Sequence, residues 1–417
     1  MKLAPGTPLD IALAFAPDAR VPAGQLAWAQ QTAQLEWSRQ VIAKKLSVDP
    51  LPRYPLQPGL QAARTRDFDG LHGFLADSLP EGWGHLVMRK RLRELGHDID
   101  ALTPMERLAL VGDNGRGALV FSPATTPDAG LSEGLDLDAL AEDAAELLTG
   151  EDGKLADVLA KAAGGSGGAR PKVHVGFGPK GEISVGDSEL PADHAAWIVK
   201  FKAKEDPDDI GPLEEAYASM AEAAGLKLAE HRLIPAKQGH AYFATRRFDR
   251  PSPGARVHMV SLAGAVEAPM TAGSLSYDQF LRATHAITRD AEDVARAFRR
   301  MVFNVLSHNR DDHARQHAYL MDENGVWSLS PAYDLTYAAG PGGEHYLDVE
   351  GEGRKVTHKH VETLGAKHGL DAKAVKAMVD EVSTAVGAWR TFASAAGVTA
   401  STTKLVADAH ARVRASF

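Results

Sequence analysis

A change in hydrophobic periodicity near residue 250 constrains the fold more than any other feature of this chain. From 172 to 248 short strand-like runs dominate, among them VHVGF, EISVG, AAWIVKF and HAYFATRRF. Gly178, Pro179 and Gly181 between the first two read as the tight turn of a hairpin. One helical run, LEEAYASMAEAAGLKLA, is inserted among the strands. After PSPGAR (251–256) the pattern reverses. Apolar residues then recur at three- and four-residue spacing through YDQFLRATHAI, AEDVARAFRRMVFNVLSH, AVKAMVDEVSTAVGAWRTFA and the C-terminal stretch, the spacing of amphipathic helices. The expectation is an α+β chain in which a small β-rich lobe precedes a mainly helical one.

Upstream, residues 1–121 mix strand-like pieces (LDIALAF, GALVF) with a helical one, WGHLVMRKRLRELG. The segment SPATTPDAGLSEG (122–134) has linker composition. LDLDALAEDAAELLTG reads as a helix stopped by Gly150, and KLADVLAKAA as a shorter one. These signals divide the chain into an α/β subdomain (1–125), a β-rich lobe (126–250) and a helical lobe (251–417). At 417 residues, more than one packed unit is the prior. The absence of cysteine excludes disulfides, Cys-ligated zinc and a thiol nucleophile. A net charge of −9 argues against non-specific nucleic-acid binding as the main activity. No apolar run is long enough to span a membrane and the N-terminal stretch is a poor signal peptide, so a cytoplasmic location is expected.

Three stretches carry chemistry. AAGGSGGARPK (162–172) fits neither the Walker pattern nor the dinucleotide fingerprint, because no Gly-Lys-Ser/Thr follows and Arg170 stands where a third glycine belongs. Its glycines still let backbone amides approach an anion, with Arg170 and Lys172 adding charge; a plain flexible linker reads equally well. WIVKF places Lys200 inside an apolar strand, and the next helix offers Glu214 and Glu215 as partners. A strand lysine paired with a helix glutamate is how protein kinases hold ATP phosphates. SHNRDDHARQHAYL (307–320) supplies Arg310-Asp311 followed by Gln316, and WSLSPAYDLTY supplies Asp334. In a phosphotransferase Asp311 accepts the hydroxyl proton while Gln316 and Asp334 hold Mg²⁺. Two other readings compete: hydrolysis at a metal bound by His308, His313 and His317, and histidines that merely cap a helix C-terminus.

FLADSLPEGWG (74–84), MERLALVGDNGRGALVF (105–121), GGARPK (167–172), RRFDR (246–250), NRDDHARQHAYL (309–320) and LSPAYDLTY (329–337) resemble the HipA-type serine/threonine kinases. These are the toxin halves of bacterial type II toxin–antitoxin modules. The resemblance runs over nearly the whole chain and implies a bilobal protein-kinase-like fold that binds ATP and Mg²⁺ between its lobes. It implies nucleotide binding by Gly167, Gly168, Ala169, Lys172, Lys200, Glu214, Arg246, Arg247, Phe248 and His313. Asp311 takes the catalytic role, and Gln316 and Asp334 the metal. It also implies a helix-turn-helix antitoxin of HipB type, DNA contact only through that antitoxin, and a protein substrate such as an aminoacyl-tRNA synthetase. Two residues depart from the family pattern. Gln316 stands where Asn is usual, and Gly165 stands where many members carry an autophosphorylated serine, leaving Ser166 as the candidate. A small-molecule kinase of the same fold and a pseudokinase acting as corepressor are the alternatives.

Overall fold

The computed structural model describes residues 2–4, 6–125, 136–150, 158–159, 167–186 and 190–417. Ser166 and most of the expected linker and of KLADVLAKAA lie outside them. Strands β1 (Leu9–Ala16), β2 (Ala19–Ala29), β3 (Thr32–Trp37), β4 (Gln61–Ala62) and β5 (Leu119–Ser122) form an antiparallel sheet in the order β4-β3-β2-β1-β5. Every second residue of β3 (Ala33, Leu35, Trp37) is buried, the period a one-sided sheet requires. Helix α1 (Trp83–Glu94) leaves this unit, and α2 (Pro104–Val111) starts on a Thr103/Glu106 capping box with Pro104 in its first turn. Helix α3 (Leu137–Thr149) begins at an Asp136 cap and ends at Gly150 with φ 86°, as its sequence predicts.

The second sheet contains β6 (Lys172–Phe177), β7 (Ile183–Val185), β8 (Ala195–Lys200), β9 (His231–Ile234) and β10 (Tyr242–Arg246), ordered β7-β6-β8-β10-β9. The predicted hairpin is β6–β7. The edge strand β9 was not anticipated, because His231 and Arg232 interrupt its apolar pattern. Helix α4 (Ile210–Ala223) packs on β10. A Cβ at Gly211 would stand 2.1 Å from the Ala241 carbonyl, so only glycine lets the helix sit this close.

In the third unit, β11 (His258–Ser261), β12 (Leu275–Ser276), β13 (Ala318–Met321), β14 (Trp327–Leu329) and β15 (Leu347–Asp348) form two small sheets, β11-β13-β14 and β12-β15. The remainder is helical: α5 (Tyr277–Thr288), α6 (Ala291–Leu306), α7 (His358–Lys367), α8 (Ala372–Gly387), α9 (Trp389–Ala396) and α10 (Ala400–Ser416). The run AVKAMVDEVSTAVGAWRTFA, which reads as one helix, breaks at Ala388 between α8 and α9. The turn sends Trp389 inward onto Tyr217, ring centroids 5.3 Å apart, with its indole donating to the Thr403 carbonyl at 3.0 Å. Burying that indole outweighs a continuous helical ladder across the weak helix former Gly387.

One hydrophobic core runs from the first sheet through α4 into the helical lobe. A second lies under the β6–β10 sheet and takes Trp83 and Val87 from α1. The N-terminal unit therefore braces both lobes. A buried Asp77, in the segment leading to α1, accepts from the Ser261 amide at 2.6 Å and the Ser261 hydroxyl at 2.8 Å. Asp77→Ala strands both donors and should cost about 1–3 kcal/mol, read from the midpoint of urea unfolding.

Candidate active site

The β6–β10 sheet and the loops around β13 and β14 face each other across a cavity of about 700 Å³. Lys200, the last residue of β8, is 9% exposed at its side chain. Its ammonium sits 2.6 Å from Glu214 of α4 and in direct contact with Asp334. Glu215, the other sequence candidate, faces away and pairs with His231 at 3.0 Å. Burial opposes charge on Lys200, but Asp334 and Glu214 outweigh it and raise its pKa. Burial opposes charge on Asp334 as well, but Lys200, with Lys172 and Arg170 behind it, holds the carboxyl well below its ordinary range. Asp334 has φ 58°, a left-handed conformation uncommon outside glycine, asparagine and aspartate. Its other oxygen accepts from the Gln316 amide at 3.0 Å.

The adjacent aspartates of 311–312 separate cleanly. Asp311 lines the cavity with its side chain 43% exposed. Burial raises its pKa, His313 opposing and Asp334 adding to the shift. Asp312 points into the lobe, fully buried, and accepts from the Tyr277 hydroxyl at 2.6 Å, His345 Nδ1 at 2.8 Å and the Tyr346 amide at 2.8 Å. These partners, His345 first, overcome the burial cost and hold Asp312 below its ordinary value. The pair thus splits into one carboxylate facing the cavity and one that anchors the loop.

The glycine stretch is gripped from outside its own lobe. Gly82, at the cap of α1 with φ 47°, lies so near Gly168 that a Cβ there would stand 2.4 Å from the Gly168 carbonyl. That carbonyl accepts from the Trp83 amide at 2.9 Å, and the Trp83 indole donates to the Lys172 carbonyl at 2.9 Å. Lys172 in turn donates to the Gly167 carbonyl at 2.6 Å, and burial pushes its pKa down to about 8. Glu81 pairs with Arg315 of the 307–320 loop. Gly82, Glu81, Arg116 and Arg315 all line the cavity. Sequence reasoning missed them as site residues, because nothing in FLADSLPEGWG, in the segment carrying Arg116 or in the 307–320 stretch taken alone shows which lobe it touches.

Gly167, Gly168, Ala169, Lys172, Lys200, Glu214, Arg246, Arg247, Phe248, Asp311, His313, Gln316 and Asp334 all line this one cavity. Phe248 forms a wall with Tyr333, ring centroids 5.5 Å apart. Arg247 is 4% exposed and bound to Asp249 at 2.8 Å and to His174 at 3.2 Å, so its charge is already committed within the lobe. Ser166 falls outside the described residues. The three histidines diverge. His317 is fully buried, 4.2 Å from the Phe280 ring, and burial pushes its pKa down to about 3. His308 stacks on Tyr337 at 5.3 Å, and only His313 reaches the cavity. Among the described residues no group of three or more His, Cys, Asp or Glu side chains is arranged to hold a metal, which removes the basis of the histidine-metal reading.

The split between the two aspartates generates a direct test. Asp312→Asn takes the carboxylate out of a fully buried hydrogen-bond network with Tyr277, His345 and the Tyr346 amide and should cost about 1–3 kcal/mol. Asp311→Asn, at the cavity edge, should leave the urea midpoint within about 0.5 kcal/mol of wild type. Equal losses from the two would contradict the orientation described above.

Residues 164–389 match the HipA-like C-terminal domain, and residues 18–122 the HipA N-terminal domain. Among curated protein sequences none matches the chain. A solved complex of HipA, HipB and operator DNA from the Shewanella oneidensis MR-1 toxin–antitoxin system superposes with a TM-score of 0.66. It is 15% identical and covers 97% of each chain. The proinflammatory kinase CtkA of Helicobacter pylori aligns with 48% of this chain and 90% of its own, at 14% identity and a TM-score of 0.31. The first structure shares the architecture end to end, and the C-terminal domain match alone spans more than half the sequence. The chain belongs to the HipA family.

Proposed function

We propose that this protein is an ATP- and Mg²⁺-dependent serine/threonine protein kinase, the toxin of a type II toxin–antitoxin module. The observation that carries this reading is Lys200 held between Glu214 and Asp334, with Asp311 facing the same cavity. The donor set fits Mg²⁺ and a nucleoside triphosphate. Mg²⁺ is commonly held by one or two protein oxygens plus substrate phosphates, and Gln316 beside Asp334 supplies that number once the amide turns its oxygen inward. Arg170, Lys172 and Lys200 line the cavity near them, charge suited to a triphosphate, while Ile198, Phe248 and Tyr333 offer apolar walls for a base. Bound Mg-ATP would supply the transferable phosphoryl group. Of the chain's own residues, Lys200 positions phosphate charge, Glu214 fixes Lys200, and Asp311 takes the acceptor hydroxyl's proton. Its raised pKa moves it toward the range of a working base.

The Shewanella oneidensis complex supports a HipB-like antitoxin as partner, with DNA reached through it. A translation-related protein such as an aminoacyl-tRNA synthetase is the substrate class the family suggests. Incubating the chain with labelled Mg-ATP and a cell extract tests the reading. The wild type should label a discrete protein on serine or threonine, and Asp311→Asn should lose roughly 10²–10⁴ in rate while still binding ATP. ATP turnover with label only on small molecules would favour a metabolite kinase, and no turnover a pseudokinase. Peptide mass spectrometry of the same reaction reports whether Ser166 is modified.

Two further outcomes are expected. Gln316→Ala should raise the Mg²⁺ concentration needed for half-maximal turnover, whereas Gln316→Asn should stay within about tenfold of wild type, some 1.4 kcal/mol. The depressed pKa of Lys172 gives a pH dependence. Below about 8 the lysine is charged and attracts phosphate, and above it the charge is lost. Nucleotide affinity should fall as pH rises through that value, and Lys172→Met should flatten the profile.

A further inference from the structure

A second cavity, of about 290 Å³, lies beside the catalytic loop and shares no lining residue with the cleft. Arg310, Arg354, Lys355 and Arg412 line it, with His308 and His345 and three valines. No Asp or Glu side chain is among the lining residues. Arg354 shares a rim carboxylate, Glu344, at 3.1 Å. Arg310 donates its terminal amino groups to the carbonyls of Gly343 and Arg354, and its buried Nε finds no partner among the described residues. Converging cations inside a concave surface repel one another, and the field they create favours an anion. The crowding registers on His308, whose pKa is pushed down to about 4 by burial first and then by Arg310.

We propose that this pocket is an anion site for a tetrahedral phosphate dianion, either free phosphate or the phosphate of a phosphorylated side chain, separate from the nucleotide cleft. Three or four acceptor oxygens on one small centre match donors that converge from α10 and from the loops that follow α6 and β15. The site is wired to the loop that carries Asp311. Arg310 is its immediate neighbour in the chain, and His345 holds Asp312 at 2.8 Å. An anion bound there ties Arg310 and His345 together and stiffens residues 308–312. The proposal stands independently of the kinase reading.

The test measures radiolabelled orthophosphate binding to the full chain by equilibrium dialysis, without nucleotide or Mg²⁺. Three proteins are compared: wild type, Lys355→Gln/Arg412→Gln, and Lys200→Met, which removes a cation from the nucleotide cleft. Binding should weaken at least tenfold in the double variant at one class of site that Lys200→Met retains. Hydrogen exchange across 308–312 should slow on adding phosphate to wild type and Lys200→Met but not to the double variant. If the double variant does not fold, Arg412→Gln alone reads the same loss. A phosphoserine peptide bound tenfold tighter than orthophosphate identifies a phosphorylated side chain as the ligand, and equal affinity identifies the free anion. Wild-type binding by the double variant, or complete loss in Lys200→Met, overturns the proposal.

Discussion

The contact of one lysine with two carboxylates organises the molecule. Lys200 ends β8, Glu214 lies one turn into α4, and Asp334 follows β14, so three separate segments meet at a single ammonium. Removing that charge from water is costly unless its partners are in place. Both partners are placed by features remote from the charge: the close packing of α4 on β10 at Gly211, and the left-handed backbone of Asp334. The sheet, the helix and the loop are therefore tied together at this one charge.

Much of this was legible in the sequence, and for identifiable reasons. Long amphipathic runs such as α5 and α6 are fixed by their own periodicity, and α6 buries Val294, Ala297, Phe298, Met301 and Val305 along one stripe. Glycine stretch, strand lysine, helix acid, Asp311 and Asp334 meet in one cavity because each lies on or close beside a regular element that positions it. Spacing alone left Glu214 and Glu215 open, since both lie on the same helical turn; the family resemblance pointed to Glu214, and packing puts Glu214 on Lys200 and Glu215 on His231. The inward turn of Asp312 escaped too. Its partners, Tyr277 and His345, are 35 and 33 residues away.

The division between lobes is less sharp than the change of periodicity suggests. Trp83 belongs in sequence to the first unit, yet it packs in the core beneath the second sheet. The first sheet itself shares a core with the helical lobe. Hydrophobic pattern reports which face of an element is buried and carries no information about which neighbour covers it. The polar links follow the same logic. Asp77 reaches Ser261, and the His258 imidazole sits 2.9 Å from the Val48 carbonyl.

The backbone-to-backbone contact of Gly82 with Gly168 has a consequence for how such a chain can change over time. Most interdomain contacts are made by side chains, which absorb a substitution on one side by repacking on the other. Here both surfaces are bare main chain with positive φ, and no rotamer is available to take up the difference. A single added methyl at Gly82 must either push the N-terminal unit off its seat or lift the glycine stretch. The two halves of the gene are thus coupled at a point where neither tolerates drift. An exchange of N-terminal units between relatives would succeed only if this one seam were carried across unchanged.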